Sequence, residues 1–295
     1  MGQDSDEIVT APSDAGWTGF GDDRVRVGAE FRTVVMVAER ELIRFVRARG
    51  QLVTGFIQPL SFLLILGVGL NRLVTPSGDV NFVQFVLPGV VAMSVVGAAL
   101  LSGASVVIDR EFGFMREMVV APPHRTSLVA GKIIGGTLVS TIKGVVVLVL
   151  APLLGITLDV VIVVAAAGIA MLIAMAVTAL GVFLACWIQR LETFQAVMQM
   201  LLMPMMFLSG ALFPIRDLPG WLAVLTHVNP LTYGVDSLRR VVLSREATDL
   251  DAQGRFATGV ELFGYELPVI VELAVVVGLG LLFAAMTIRR FGKPQ

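Results

Sequence analysis

The run from Val160 to Trp187 holds twenty-eight residues and no charged side chain. A helix rises about 1.5 Å per residue, so about 20 apolar residues cross the ~30 Å hydrocarbon core of a bilayer. Inside that core the backbone must satisfy its own hydrogen bonds, which makes a spanning helix the natural outcome for such a run. Similar runs place six spans, at about 52–73, 83–107, 129–153, 160–187, 194–212 and 265–288. Hydrophobic residues make up 56% of the chain and charged residues 15%, against about 25% charged in a soluble domain. The expected fold is an all-α polytopic membrane protein.

Several kinds of chemistry are poorly supplied. The single cysteine, Cys186, has no disulfide partner in the chain, and the two histidines, His124 and His227, are far apart in sequence. No metal site and no nucleic-acid partner are expected. Nineteen arginines against three lysines in an Ala/Val/Gly-rich chain point to a GC-rich bacterial genome.

The first residues, "MGQDSDEIVTAPSDAGWTGFGDD", are acidic and lack the apolar core of a signal peptide, so residues 1–28 read as a flexible acidic tail. The segment 29–50 follows as an amphipathic helix. Phe31, Val35, Ala38, Leu42 and Phe45 recur at helical spacing, and Arg32, Arg40, Arg44, Arg47 and Arg49 fill much of the remainder. Such a helix suits the membrane interface, where arginines meet lipid phosphates; an ordinary solvated surface helix is the alternative. With both termini on the cytoplasmic side, fifteen basic residues lie inside and six outside, the arrangement that the positive-inside bias favours. The remaining residues, 51–295, form the six-span domain.

In this topology the segment 213–243 is extracytoplasmic. Asn229 followed by Pro230 is an N-cap with proline at the first helical position. The helix it starts is too short to span, so it and the short helix before it are expected to lie in or dip into the outer leaflet. Leu231, Val235, Leu238 and Val242 would form one side of it, with Asp236, Arg239 and Arg240 on another.

The loop 108–128 lies inside and is the most charged connection between spans. None of Asp109, Arg110, Glu111, Arg116 and Glu117 has an opposite charge at i,i+3 or i,i+4, and Gly113 weakens the helix between them. Their own segment therefore satisfies them poorly, leaving three candidate partners: another chain, the basic N-terminal helix, or water.

Here the sequence resembles a known family. "DREFGFMREMVVAPPHRTSLVAGK" is similar to the cytoplasmic loop of type-2 permeases of ATP-binding cassette exporters, with acidic residues flanking a glycine and a proline before the next span. "SGALFPIRDLPGWLAVLTHVNPLTYGVDSLRR" resembles the family's C-terminal signature through Phe213, Pro214, Pro219, Asn229, Pro230 and Tyr233. The nearest flavour is the daunorubicin-resistance type of drug-efflux permease, and the likeness covers roughly residues 30–290. Phe114 departs from it, because many members carry threonine after the glycine.

The resemblance implies a dimeric pathway, formed by this permease with a second copy or a related permease. Two copies of an ATP-binding subunit would dock beneath it. By position, Asp109, Arg110, Glu111, Gly113, Arg116 and Glu117 would serve ATPase coupling, and Phe31, Arg40, Leu42, Arg44 and Arg47 would belong to the connecting helix. ATP and Mg would be bound by the partner, since "AGKIIGG" lacks the remaining residues of a P-loop. The cargo would be hydrophobic drugs or lipid-like molecules, exported from a bacterial cytoplasmic membrane.

Three further features need an account. Lys143 and Glu272 stand within spans, where charge is costly; they could pair, gate, touch substrate, or serve packing. Gly131, Gly135, Ser140 and Gly144 offer a small-residue face for close helix contact. Met198, Met203, Pro204, Met206 and Phe207 could line a cavity for variable amphiphiles, with plain core or lipid-facing surface as the alternative. An ion- or proton-coupled secondary transporter is the competing class, although it would call for more intramembrane charge and an internal repeat. An integral-membrane enzyme lacks a motif to support it.

Overall fold

The computed structural model describes residues 23–69, 82–111, 125–154, 159–212, 219–243, 261–262 and 265–291. Helix α1 is Asp23–Arg47; α2 is Arg49–Phe62, which continues as a π-helical turn, Leu63–Val68. Then come α3 (Phe82–Ser102), α4 (Ala104–Glu111), α5 (Arg125–Leu150, ending in a 3-10 turn, Ala151–Leu154), α6 (Val160–Ala185) and α7 (Leu191–Leu208). Two short helices, α8 (Gly220–Val228) and α9 (Pro230–Val242), precede a two-residue antiparallel strand pair, Glu261–Leu262 with Tyr265–Glu266, and the last helix, α10 (Val269–Phe291).

Among the described residues, five helical segments are long and apolar enough to cross a membrane: 85–111, 126–150, 160–185, 191–208 and 269–290. They match the expected second to sixth spans. The expected first span, 52–73, is represented by a shorter apolar helix, Gly55–Ile65, and its residues 70–73 lie outside the described residues. The helix of the sixth expected span, α10, starts at Val269, four residues later than the sequence pattern suggested, because Tyr265–Glu266 is a strand. Pro268 supplies the reason. It disfavours helix in the residue before it, while its own carbonyl accepts from the Val271 and Glu272 N–H groups at the helix start.

The core is built from α3, α5 and α6, with α9 and α10 packed onto it. At the crossing of α3 with α6 the backbones touch. A Cβ on Gly103 would stand 2.5 Å from the Gly181 carbonyl oxygen, and one on Gly181 would stand 2.9 Å from that of Leu100. Only paired glycines allow this approach.

The small-residue face of α5 divides between two neighbours. A Cβ on Gly131 would meet Val37 at 2.7 Å and one on Gly135 would meet the Ala38 backbone at 3.0 Å, so these two glycines seat α1. Gly144 instead faces Val95 of α3, and Ser140 is buried with its hydroxyl donating to the Gly136 carbonyl at 2.7 Å. The five-residue step from Gly135 to Ser140 turns the helix by about 140°, so the four residues cannot share one face.

That seat shows which side of α1 the protein itself covers. Ala38 is buried and Leu42 and Phe45 are half-buried, as the apolar stripe implied, but Phe31 is 70% exposed and Val35 45%. The covered face runs instead through Val34, Val37, Ala38 and Glu41, because the groove on α5 decides which side of α1 fits. The helix begins at Asp23, within the segment expected to be tail.

Helix α9 is covered almost all round. Ten of its thirteen residues are buried, Asp236 and Arg239 among them, where the sequence pattern had set the charged residues on a side of their own. At about 20 Å it is too short to span, and it is wedged among α3, α6 and α10.

Candidate functional site

Three consecutive charges, Asp109, Arg110 and Glu111, close α4, and each finds its partner in a different part of the chain. Asp109 is buried, with one carboxylate oxygen 2.6 Å from Lys132 Nζ of α5 and the other 3.9 Å from Arg40 of α1. The Lys132 ammonium also donates to Ser105 Oγ at 2.9 Å and lies 3.5 Å from Glu41, so its three protons have three acceptors. Glu41 in turn faces Arg44 at 3.6 Å. This network joins α1, α4 and α5.

Arg110 and Glu111 reach the other way, to helix ends. The Arg110 guanidinium donates to the carbonyls of Ala185 and Cys186, at 3.3 and 3.2 Å, where α6 terminates. Glu111 Oε2 accepts from the Leu191 N–H at 3.1 Å, where α7 begins. A cation at a C-terminus and an anion at an N-terminus are the favourable senses of the helix dipole. Arg290 of α10 lies at the same end, its guanidinium 3.5 Å from the centroid of the Trp187 ring.

The expectation that these charges are not satisfied by their own segment therefore holds for the three described ones, and the remedy lies within this chain. Arg40 and Arg44 take part, Leu42 is half-buried beside them, and Phe31 and Arg47 are exposed. Gly113, Phe114, Arg116 and Glu117 lie outside the described residues.

The opposite end carries a second polar cluster. Asn229 accepts from the Leu231 N–H at 3.1 Å, which is the expected N-cap, and its amide donates to the Met205 carbonyl of α7 at 2.7 Å. Thr232 donates to the Thr226 carbonyl and Tyr233 to that of His227, each at 2.8 Å. The Asn-Pro-Leu-Thr-Tyr run thus fastens α9 to α7 and α8. Pro219 precedes α8 and is exposed, while Phe213 and Pro214 lie outside the described residues.

Glu272 is fully buried and does not meet Lys143. Ser237 donates to one of its oxygens at 2.7 Å and Arg240 to the other at 3.2 Å, while Arg240 also pairs with Asp236 at 3.0 Å. Arg239 donates to the Gly210 carbonyl at 2.7 Å and stacks 4.1 Å over the Phe85 ring. Gly210 turns that carbonyl inward through a φ of 70°, which glycine adopts without strain. Burial lowers the Arg239 pKa to about 10, so the group stays charged at neutral pH. Lys143 lies 5.6 Å from the Phe45 ring, at the junction of α1, α2 and α5.

The proposed methionine lining is divided. Met198 and Met206 are buried in the core, whereas Met203, Pro204 and Phe207 are exposed on the opposite side of α7. Within one chain they cannot line a common cavity. Sequence reasoning also missed the role of Lys132, which it treated only as one more basic residue, and the Glu272–Arg240 pair. The i,i+4 spacing of Asp236 and Arg240 was the signal available for the arginine of that pair.

A family model described as "ABC-2 type transporter" matches residues 32–243. This chain belongs to the ABC-2 type transporter family. It is 27% identical over 208 residues to the transport permease ycf38 of Cyanophora paradoxa, covering 69% of this chain and 72% of that protein. Nodulation protein J of Rhizobium meliloti is 31% identical over 197 residues, covering 63% of this chain and 71% of that protein. The multidrug ABC transporter permease YbhR of Escherichia coli is 25% identical over 182 residues, covering 58% of this chain and 47% of that protein. The ABC-2 permease is thus a multi-pass membrane subunit of an ABC transporter, partnered by an ATP-binding subunit. The matched region takes in the inner network and the α9 residues of the outer cluster, and it ends one residue past α9, before Glu272.

Proposed function

We propose that this permease is the membrane half of an ATP-driven exporter that moves hydrophobic drugs or lipid-like molecules by alternating access across a bacterial cytoplasmic membrane. Two ATP-binding subunits supply ATP and Mg, and a second permease, identical or related, completes the pathway with a sixth span in each unit. Both termini and the segment 112–124 face the cytoplasm, and α8 and α9 face outward. The observation that carries this reading is the closed end of α4. Its three charges grip α1, α5, α6 and α7, so a push on the adjoining loop is delivered to several helices together. The name of the multidrug relative supports the cargo class.

The test is purification from the source membrane with whatever ATPase accompanies the permease, followed by reconstitution in liposomes. Hydrolysis stimulated by a fluorescent anthracycline, with vectorial movement of the dye, is the expected result. Transport that follows a proton gradient and survives inactivation of the ATPase would instead establish a secondary transporter.

A further inference from the structure

We propose that Glu111 works inward, as the link that joins the end of α4 to the start of α7 so that the two move together, and that the ATPase does not read its charge. The proposal rests on the coupling reading above and assigns a positioning residue within it.

The first N–H groups of a helix have no partner inside the helix. At α7 the N-cap residue is Arg190, which supplies no side-chain acceptor. Glu111, eighty positions earlier, supplies one: its Oε2 accepts the Leu191 N–H at 3.1 Å. The carboxylate is therefore directed at α7, in the favourable sense of the dipole. Beside it, Arg110 holds the end of α6 and Asp109 holds α5 and α1. The end of α4 is thus braced, and Glu111 supplies its hydrogen bond to α7.

That helix is tied again at its far end, where Asn229 donates to the Met205 carbonyl and Thr232 to that of Leu208. Phe194, Met198, Met205 and Met206 are its buried residues, whereas Met200 is 80% exposed and Met203 64%. A helix tied at both ends and bare along one face between them can tilt when its capped end moves while giving up little packing.

Replacing Glu111 with alanine removes the cap, whereas Glu111→Gln removes the charge but keeps an oxygen that can accept. The three proteins are compared in complex with the ATPase that co-purifies with wild type, reconstituted in liposomes. Anthracycline moved per ATP hydrolysed is measured, together with amide exchange over residues 191–194. With Glu111→Ala, exchange in this first turn should accelerate about fivefold, the factor set by a helix cap of ordinary strength, and the transport-to-hydrolysis ratio should fall several-fold. ATPase binding should persist, and Glu111→Gln should rescue both readouts. Equal uncoupling by alanine and glutamine, or loss of the ATPase in either variant, would show that the partner reads the charge and would overturn the proposal. Full coupling in Glu111→Ala would overturn it as well. Failure of the wild type to bind any ATPase would instead defeat the coupling reading itself.

Discussion

Removing either partner of the Asp109–Lys132 pair should destabilise the protein, and by unequal amounts. Both side chains are close to nine-tenths buried and lie 2.6 Å apart, and breaking a buried pair from one side costs about 3–5 kcal/mol. The structure decides which side costs more. With Asp109→Ala the Lys132 ammonium keeps Ser105 at 2.9 Å and Glu41 at 3.5 Å, so the loss should sit near the lower end, about 3 kcal/mol. With Lys132→Met the Asp109 carboxylate keeps Arg40 at only 3.9 Å, so the loss should approach about 5 kcal/mol. The double variant removes both charges and should recover most of the difference, leaving a coupling energy of at least about 2 kcal/mol. Thermal unfolding in detergent, read as loss of the monodisperse species, gives the ranking at roughly 2 °C per kcal/mol. Asp109→Ala proving more damaging than Lys132→Met, or purely additive losses in the double variant, would refute the assignment of Lys132 as the shared donor.

Other outcomes follow from the packing. Gly135→Val would set new methyl groups against the Ala38 backbone, 3.0 Å from the Cβ position. It should lower stability by about 1–3 kcal/mol and expose the α1 segment to limited proteolysis. Asn229→Ala loses both the α9 cap and the bond to Met205; about 2 kcal/mol of destabilisation is expected, with Asn229→Asp retaining the cap but not the amide donor. Trp221→Cys in a Cys186→Ser background should react with an impermeant maleimide from outside intact cells, since residue 221 is 69% exposed. Labelling only in opened cells would reverse the orientation.

Local rules made some of this legible in advance. The helix start at Asn229–Pro230 needs only a side-chain acceptor two residues from an N–H, and it formed as read. The isolation of Asp109, Arg110 and Glu111 from helix-spaced partners was likewise a matter of short-range geometry. What they bind instead lies 75 and 76 positions away for Arg110 with the carbonyls of Ala185 and Cys186, and eighty for Glu111 and Leu191. Periodicity carries no information at that range. The protein contact of α1 was not legible for a related reason: the groove at Gly131 and Gly135 takes up a face next to the one that holds Phe31 and Val35.

By itself, the sequence determined that this chain enters a membrane, because uncharged runs the length of Val160–Trp187 must close their backbone hydrogen bonds within themselves. It also determined where charge would gather, since each charge has to sit at a helix end or find a partner. Which groups meet was decided only by tertiary structure. Within the membrane, apolar side chains gain little by choosing one helix neighbour over another, so close backbone approach and polar pairing make the choice. Gly103 against Gly181, Lys132 beneath Asp109 and Arg240 beside Glu272 are contacts of that kind. Each depends on how the helices lie against one another.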